Sequence, residues 1–188
     1  MKRMMLPTLL AAIFFATGAP ALAQFRPGMS PAEVQLEVAT RLETQPMVEV
    51  VRAMTAAGFT VDTILAGLVA FVGQPGYESV SLELITEAAI VAGLPAPAVV
   101  AGVITAVVAR FGDIEDVQME VIISSAVAAD VAVNGKEASV IAIAQAAANT
   151  GKISFPEASA IASTAEVAAL VKDTSAPVER VEPVISTR

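Results

Sequence analysis

The chain has 188 residues, of which 55% are apolar and 4% aromatic, and a formal net charge of −8. It contains no Cys, no His and no Trp. This excludes disulfides, a lipid-anchored cysteine, zinc held by His or Cys, and any Ser-His-Asp or Cys-His nucleophile.

The first 23 residues read as a cleaved secretory signal peptide. Lys2 and Arg3 form a positive start, Leu6 to Phe15 an apolar run, and Ala21-Leu22-Ala23 an A-x-A cleavage box. Cleavage after Ala23 removes two of the eleven basic residues and none of the nineteen acids, so the mature chain has a net charge of −10. Between Ala53 and Gly135 nine carboxylates face the single Arg110. Such a surface repels phosphate backbones and anionic lipid headgroups, so nucleic acid is not an expected partner. The expected location is outside the cytoplasm, in the periplasm or the extracellular space.

Gln24 to Met29 reads as a short linker. Ser30-Pro31-Ala32-Glu33 is a helix start with Ser as N-cap, Pro at N1 and Glu closing a capping box. The first helix runs to about Glu43, with Glu37 and Arg41 paired on its wet face. Pro46 to Ala57 is a second helix, with a stripe of Met47, Val50, Val51 and Met54. Gly58 ends it with Phe59 folding back, the pattern of a Schellman ending. Thr60 caps a third helix, expected to reach Gly73.

A fourth helix is expected from about Ser79 to Ala92, and a fifth from Pro95–Pro97 to Phe111. Asp113 is expected to cap a sixth, Ile114 to about Val133. Asn134-Gly135-Lys136-Glu137 then turns the chain and opens a seventh with a capping box. Ser154 with Glu157 caps a last helix ending near Lys172. The single helical domain is therefore 24–172, and 173–188, with Pro177 and Pro183, reads as a disordered tail.

One phrase occurs twice. Ala57-Gly58-Phe59 with Ile64-Leu65 and Ala66-Gly67 returns 35 residues on as Ala92-Gly93-Leu94 with Val99-Val100 and Ala101-Gly102. A third, looser copy counted from Gly135 puts Val140 and Ile141 in the place of the branched pair. The fold class is thus all-α: seven or eight short antiparallel helices in repeated hairpins, stacked as a solenoid-like array or a compact bundle. Small residues at helical spacing (Ala98, Gly102, Ala106; Ala66, Ala70) are expected to let neighbouring helices approach. A helical Gly costs about 1 kcal/mol against Ala, and close approach is the return. The apolar excess of the composition is mostly Ala and Val, which bury little area each, so the core depends on such approach.

Ala88 to Ala109 holds 22 residues without a charge, long enough to cross a bilayer. The turn Gly93-Leu94-Pro95 in its middle favours two short buried helices instead.

The carboxylates are the remaining chemical candidates. Asp113, Glu115, Asp116 and Glu120 form the densest cluster, but they run into a helix N-terminus, where the dipole accounts for them without calcium. Glu83 and Glu87 are an i,i+4 pair on a solvated face. Asp130, in an apolar run, is expected to turn to solvent near its helix end rather than to be buried. Ser124-Ser125 with Lys136 or Lys152 makes only a forced Ser/Lys dyad. No catalytic, cofactor-binding or metal residue is assigned. The expected function is that of an exported, non-enzymatic scaffold that associates with itself, as a homo-oligomer, or with an envelope protein. The alternative is a lipid or apolar small molecule held between helices, with contact to a membrane surface.

Overall fold

A computed structural model of the chain describes residues 24–135 and 139–174. The expected signal peptide, the 175–188 part of the tail and the Lys136-Glu137 half of the expected capping box lie outside these residues. Within them the protein is all-helical: α1 (Pro31–Leu42), α2 (Met47–Ala56), α3 (Val61–Val69), α4 (Leu82–Val91), α5 (Ala96–Phe111), α6 (Asp116–Asn134), α7 (Val140–Asn149) and α8 (Phe155–Thr174).

The starts follow local chemistry. Ser30 and Glu33 form the expected capping box of α1, with Ser30 N–H donating to Glu33 Oε2 at 2.7 Å. Thr60 caps α3 through the N–H of Thr63. Two starts differ from expectation. Ser81, not Ser79, caps α4. Asp113 does not cap α6; Glu115 does, in a box with Gln118, because Ile114 stays in the turn. The third helix stops at Val69, four residues short of Gly73. Gln74 Nε2 then donates to Ala70 O, and the Phe71 and Tyr77 rings pack at a 59° tilt, centroids 4.7 Å apart, within the linking segment.

Gly58 and Gly93 end α2 and α4 with the same Schellman bonds. Phe59 N–H donates to Met54 O and Gly58 N–H to Thr55 O; Leu94 N–H donates to Ala89 O and Gly93 N–H to Ile90 O. Both glycines sit at positive φ, +82° and +101°, which a β-carbon would strain.

Every helix packs on the next and on the next but one, and among the described residues none touches a helix three or more places away. That is an open array of two rows, α1-α3-α5-α7 and α2-α4-α6-α8, and it decides between the solenoid and the closed bundle. The rows share one register. Counted from its first residue, each helix buries its fourth and eighth side chains: Val34 and Val38, Val50 and Met54, Ile64 and Leu68, Ile85 and Ala89, Val99 and Val103, Met119 and Ile123, Ile143 and Ala147, Ala158 and Ala162. This i,i+4 pair faces the space between the rows. The repeat therefore extends to α1 and α8.

It also corrects the third unit. Ile141 is 77% exposed and Val140 only half-buried; Ile143 and Ala144 take the places of Ile64-Leu65 and Val99-Val100. Gly135 is the first residue of a five-residue turn, whereas Gly58 and Gly93 are the second of four-residue turns, so the pair follows the glycine by eight residues and not six, and the turn glycine is the wrong origin for counting.

Close approach is realised at one glycine. A β-carbon on Gly102 would lie 2.6 Å from Leu65 Cδ1, so α3 and α5 are in backbone-to-side-chain contact there. At Gly67 a β-carbon would meet Val34 Cγ1 at 3.6 Å and Met54 Cε at 3.7 Å, ordinary contacts. Ala98 and Ala66 of the expected small-residue spacing are exposed.

No helix among the described residues is long and apolar enough to cross a membrane. The uncharged run 88–109 is divided between α4 and α5 by the turn at Gly93, and Ile90, Val99, Val100 and Val103 are buried in the array.

Candidate functional site

The structure scatters the acidic candidates. Asp113 reaches across to Lys152, Oδ1 to Nζ 2.9 Å, tying the α5–α6 turn to the α7–α8 turn. The Lys152 hydrogen bond, then the Ile114 N–H, hold the Asp113 carboxyl below the usual carboxylate range. Glu115, Asp116 and Glu120 are exposed, Glu115 serving its own helix cap. Glu83 is exposed and Glu87 half-buried. No group of three or more carboxylates placed to hold a metal ion occurs among the described residues.

Two carboxylates depart from expectation. Asp130 is buried, 3% exposed, not turned to solvent. Its Oδ1 accepts from Asn134 Nδ2 at 2.6 Å, and its Oδ2 from the backbone N–H of Ser139. Ser139 is the N-cap residue of α7 and its own side chain makes no cap bond. Asp130 thus supplies from α6 the acceptor that α7 lacks, and its negative charge suits that helix start. Glu37 is 4% exposed, not on a wet face. Arg41 Nε donates to its Oε1 at 2.6 Å. The guanidinium lies 4.8 Å from the centre of the Phe25 ring, and Phe25 packs edge-on against Phe59, centroids 5.9 Å apart. Phe25, the one buried residue of the mostly exposed stretch 24–30, therefore covers the Glu37–Arg41 pair.

The serines offered no dyad partner with Lys152, which is paired to Asp113. Ser124 and Ser125 both donate their hydroxyls to Val121 O within α6, the back-bonding usual for a helical Ser.

Among the described residues, two clefts lie beside α1. One, about 360 Å³, lies between α1 and α3 and is lined by Met29, Pro31, Val34, Asp62, Ala66 and Gly67, among others. The other, about 200 Å³, lies between the α1–α2 turn and the α3–α4 segment, near Met47, Tyr77 and Val80. Both open to solvent.

The remaining candidate is the pair α7 and α8, the last of the described helices. In this acidic protein α7 carries no charged residue. α8 is apolar on two faces: Ala158 and Ala162 point into the core, while Val167 and Val171 are 63% and 61% exposed. Sequence periodicity did not single out this face, because α8 reads as a mixed Ala-rich helix until its inner stripe is known.

The fold places the protein in the class of open, two-row helical repeat arrays. No family model, no curated protein and no solved structure matches the chain.

Proposed function

We propose that the protein is an exported, non-enzymatic helical scaffold that works by association, with a second copy of itself or with a protein of the cell envelope. The observation that carries this reading is the double-faced α8. A helix apolar on opposite sides is ordinarily covered on both, and among the described helices α8 packs on α6 and α7, which its inner face meets. The signal-like segment, with Lys2-Arg3, the apolar run and Ala21-Leu22-Ala23, supports export. Size-exclusion chromatography with light scattering on the 24–188 chain tests self-association. A mass that rises with concentration is expected; a monodisperse monomer at about 0.5 mM, weaker than any useful self-affinity, would leave only the envelope partner. Intact mass of the protein from cells expressing the full chain should begin at Gln24, and a retained Met1 would refute export by cleavage.

A second reading, an apolar small molecule between helices, is supported by the α1–α3 cleft. Its volume of about 360 Å³ lies at the low end of ligand sites, roughly 300–1,000 Å³. Mass spectrometry of organic extracts of the purified protein tests it, an empty protein speaking against it.

A further inference from the structure

We infer that Asn134–Gly135 is a site of spontaneous covalent modification, deamidation through a cyclic imide, and that the product unfastens the start of α7. The chain has two asparagines, Asn134 and Asn149. A main-chain nitrogen can attack the side-chain carbonyl carbon of the Asn before it and close a five-membered ring. Gly135 has no β-carbon to hinder that attack, whereas Thr150, which follows Asn149, is β-branched. The surroundings leave room as well. Asn134 and Gly135 are exposed, and a β-carbon built on Gly135 would meet nothing within 4 Å.

Water is the only co-reactant. The Gly135 nitrogen gives up its proton and bonds to Asn134 Cγ. The Cγ–Nδ2 bond breaks, and the amide leaves as ammonia with that proton. Water then opens the imide, at Cγ to give an aspartate or at the main-chain carbonyl carbon to give an isoaspartate. Two bonds hold the reaction back. Gly135 N–H donates to Val131 O, and Asn134 Nδ2 donates to Asp130 Oδ1 at 2.6 Å. Both belong to the last turn of α6, and helix ends open at far smaller free energies than whole domains. Opening of that turn therefore sets the rate.

The consequence runs through Asp130, which is 3% exposed and accepts from both Asn134 Nδ2 and Ser139 N–H. Either product puts a carboxylate where a donor stood, so like charge faces like at hydrogen-bond distance. The new carboxylate can turn to solvent, but Asp130 is then a buried charge with one donor of two, and is drawn toward water. Its outward movement leaves Ser139 N–H without an acceptor, because the Ser139 side chain makes no cap bond.

The test incubates the folded 24–188 chain in mildly alkaline buffer beside a urea-unfolded sample. Peptide mapping by mass spectrometry and amide exchange follow both. The Asn134 peptide of the folded chain should convert to aspartyl and isoaspartyl forms, more slowly than in the unfolded one and at a rate independent of chain concentration. The Asn149 peptide should stay intact. Asp130→Ala, checked for folding by circular dichroism, frees the Asn134 side chain and should bring the rate nearer the unfolded one. In the converted fraction, and in Asn134→Asp, Ser139 N–H should exchange about tenfold faster or more, as expected for a lost hydrogen bond to a charged group. Asn134→Gln keeps an amide donor and closes no five-membered ring, so it should neither convert nor change its exchange on incubation. A folded chain intact at Asn134 while the unfolded one converts overturns the site. An unchanged rate in Asp130→Ala shows that Asp130 does not hold the amide, and overturns the link between the two residues. Conversion with Ser139 exchange unchanged overturns the effect on α7, and so does exchange that quickens equally in incubated Asn134→Gln.

Discussion

Alanine at Gly102 and alanine at Gly67 are the same substitution at the same place in two helices, the seventh position of α5 and of α3, and the structure predicts opposite signs. Both gain helix propensity and lose unfolded-chain entropy, together about 1 kcal/mol in favour of the folded state. At Gly67 the new methyl finds Val34 and Met54 at 3.6 and 3.7 Å, so the gain is kept. At Gly102 it would stand 2.6 Å from Leu65 Cδ1, well inside the ~3.5–4.0 Å optimum for two carbons. Leu65 is fully buried, so relief means an off-rotamer side chain or a shift of α3 against α5. Overpacking of this kind costs about 1–3 kcal/mol. Gly102→Ala should then lose up to about 2 kcal/mol net and Gly67→Ala gain about 0.5–1. For a chain of this size each kcal/mol moves the melting temperature by about 2–4 °C. Urea unfolding followed by circular dichroism measures both. The decisive control is Leu65→Ala. Alone it should cost about 2–5 kcal/mol, and in its background Gly102→Ala should turn stabilising, a coupling of at least about 1 kcal/mol. If Gly102→Ala stabilises the wild-type chain as much as Gly67→Ala does, the close approach of α3 and α5 is not the reason for the glycine.

Phe25→Ala should destabilise by about 3 kcal/mol, more than a residue in a linker would, and cutting the chain after Gly28 should have the same effect; a loss under about 0.5 kcal/mol, the scale of a surface change, would show that the Phe25 cover is idle. Asp130→Ala removes the acceptor for Ser139 N–H and should cost about 1–3 kcal/mol, with amide exchange accelerated in the first turn of α7; Asp130→Ala with exchange unchanged there would sever the cap from α7. Glu33, Glu78 and Asp113 are held below the usual carboxylate range by Ser30, by the Gly76 N–H and by Lys152 respectively. The folded chain thus binds fewer protons than the unfolded one near pH 4. Their contribution is present above the ordinary carboxylate values and is lost as pH falls through the lowered ones. The urea midpoint should hold from pH 7 to about 5 and decline below about 4, and the triple variant Glu33→Gln/Glu78→Gln/Asp113→Asn should show a shallower decline; an equal slope would dismiss these three groups.

Much of the architecture is legible in residues that act locally. Ser30 with Glu33, Thr60, Gly58 and Gly93 each state a helix boundary through a bond to a residue within five positions, and the structure has all four. The misread residues are those whose partners lie elsewhere or whose count starts from the wrong place. Glu37 reads as solvated because Phe25, which covers its Arg41, sits twelve residues upstream in an apparent linker. Asp130 reads as exposed because its partner is a backbone N–H across a turn. Ile141 reads as core because a longer turn with its glycine one place earlier moves the register by two residues. The α8 face belongs to a further kind: its meaning depends on which side of α8 meets α6 and α7, which no window of sequence contains.

The absence of contact between helices three or more places apart among the described residues makes length a separable property. The unit Gly58–Ala92 spans 35 residues, and its removal would join Ala57 to Gly93, an Ala-Gly step already present at both places. α5 would then follow α2, keeping the alternation of rows and the buried fourth and eighth positions. A chain so shortened should fold, one layer or about 8–10 Å shorter, with the α8 end unaltered and Leu94 standing where Phe59 meets Phe25. The distance between the Phe25 end and the α8 end is thus set by how many units are stacked, and it can change in whole steps because each unit offers its neighbours the same buried positions.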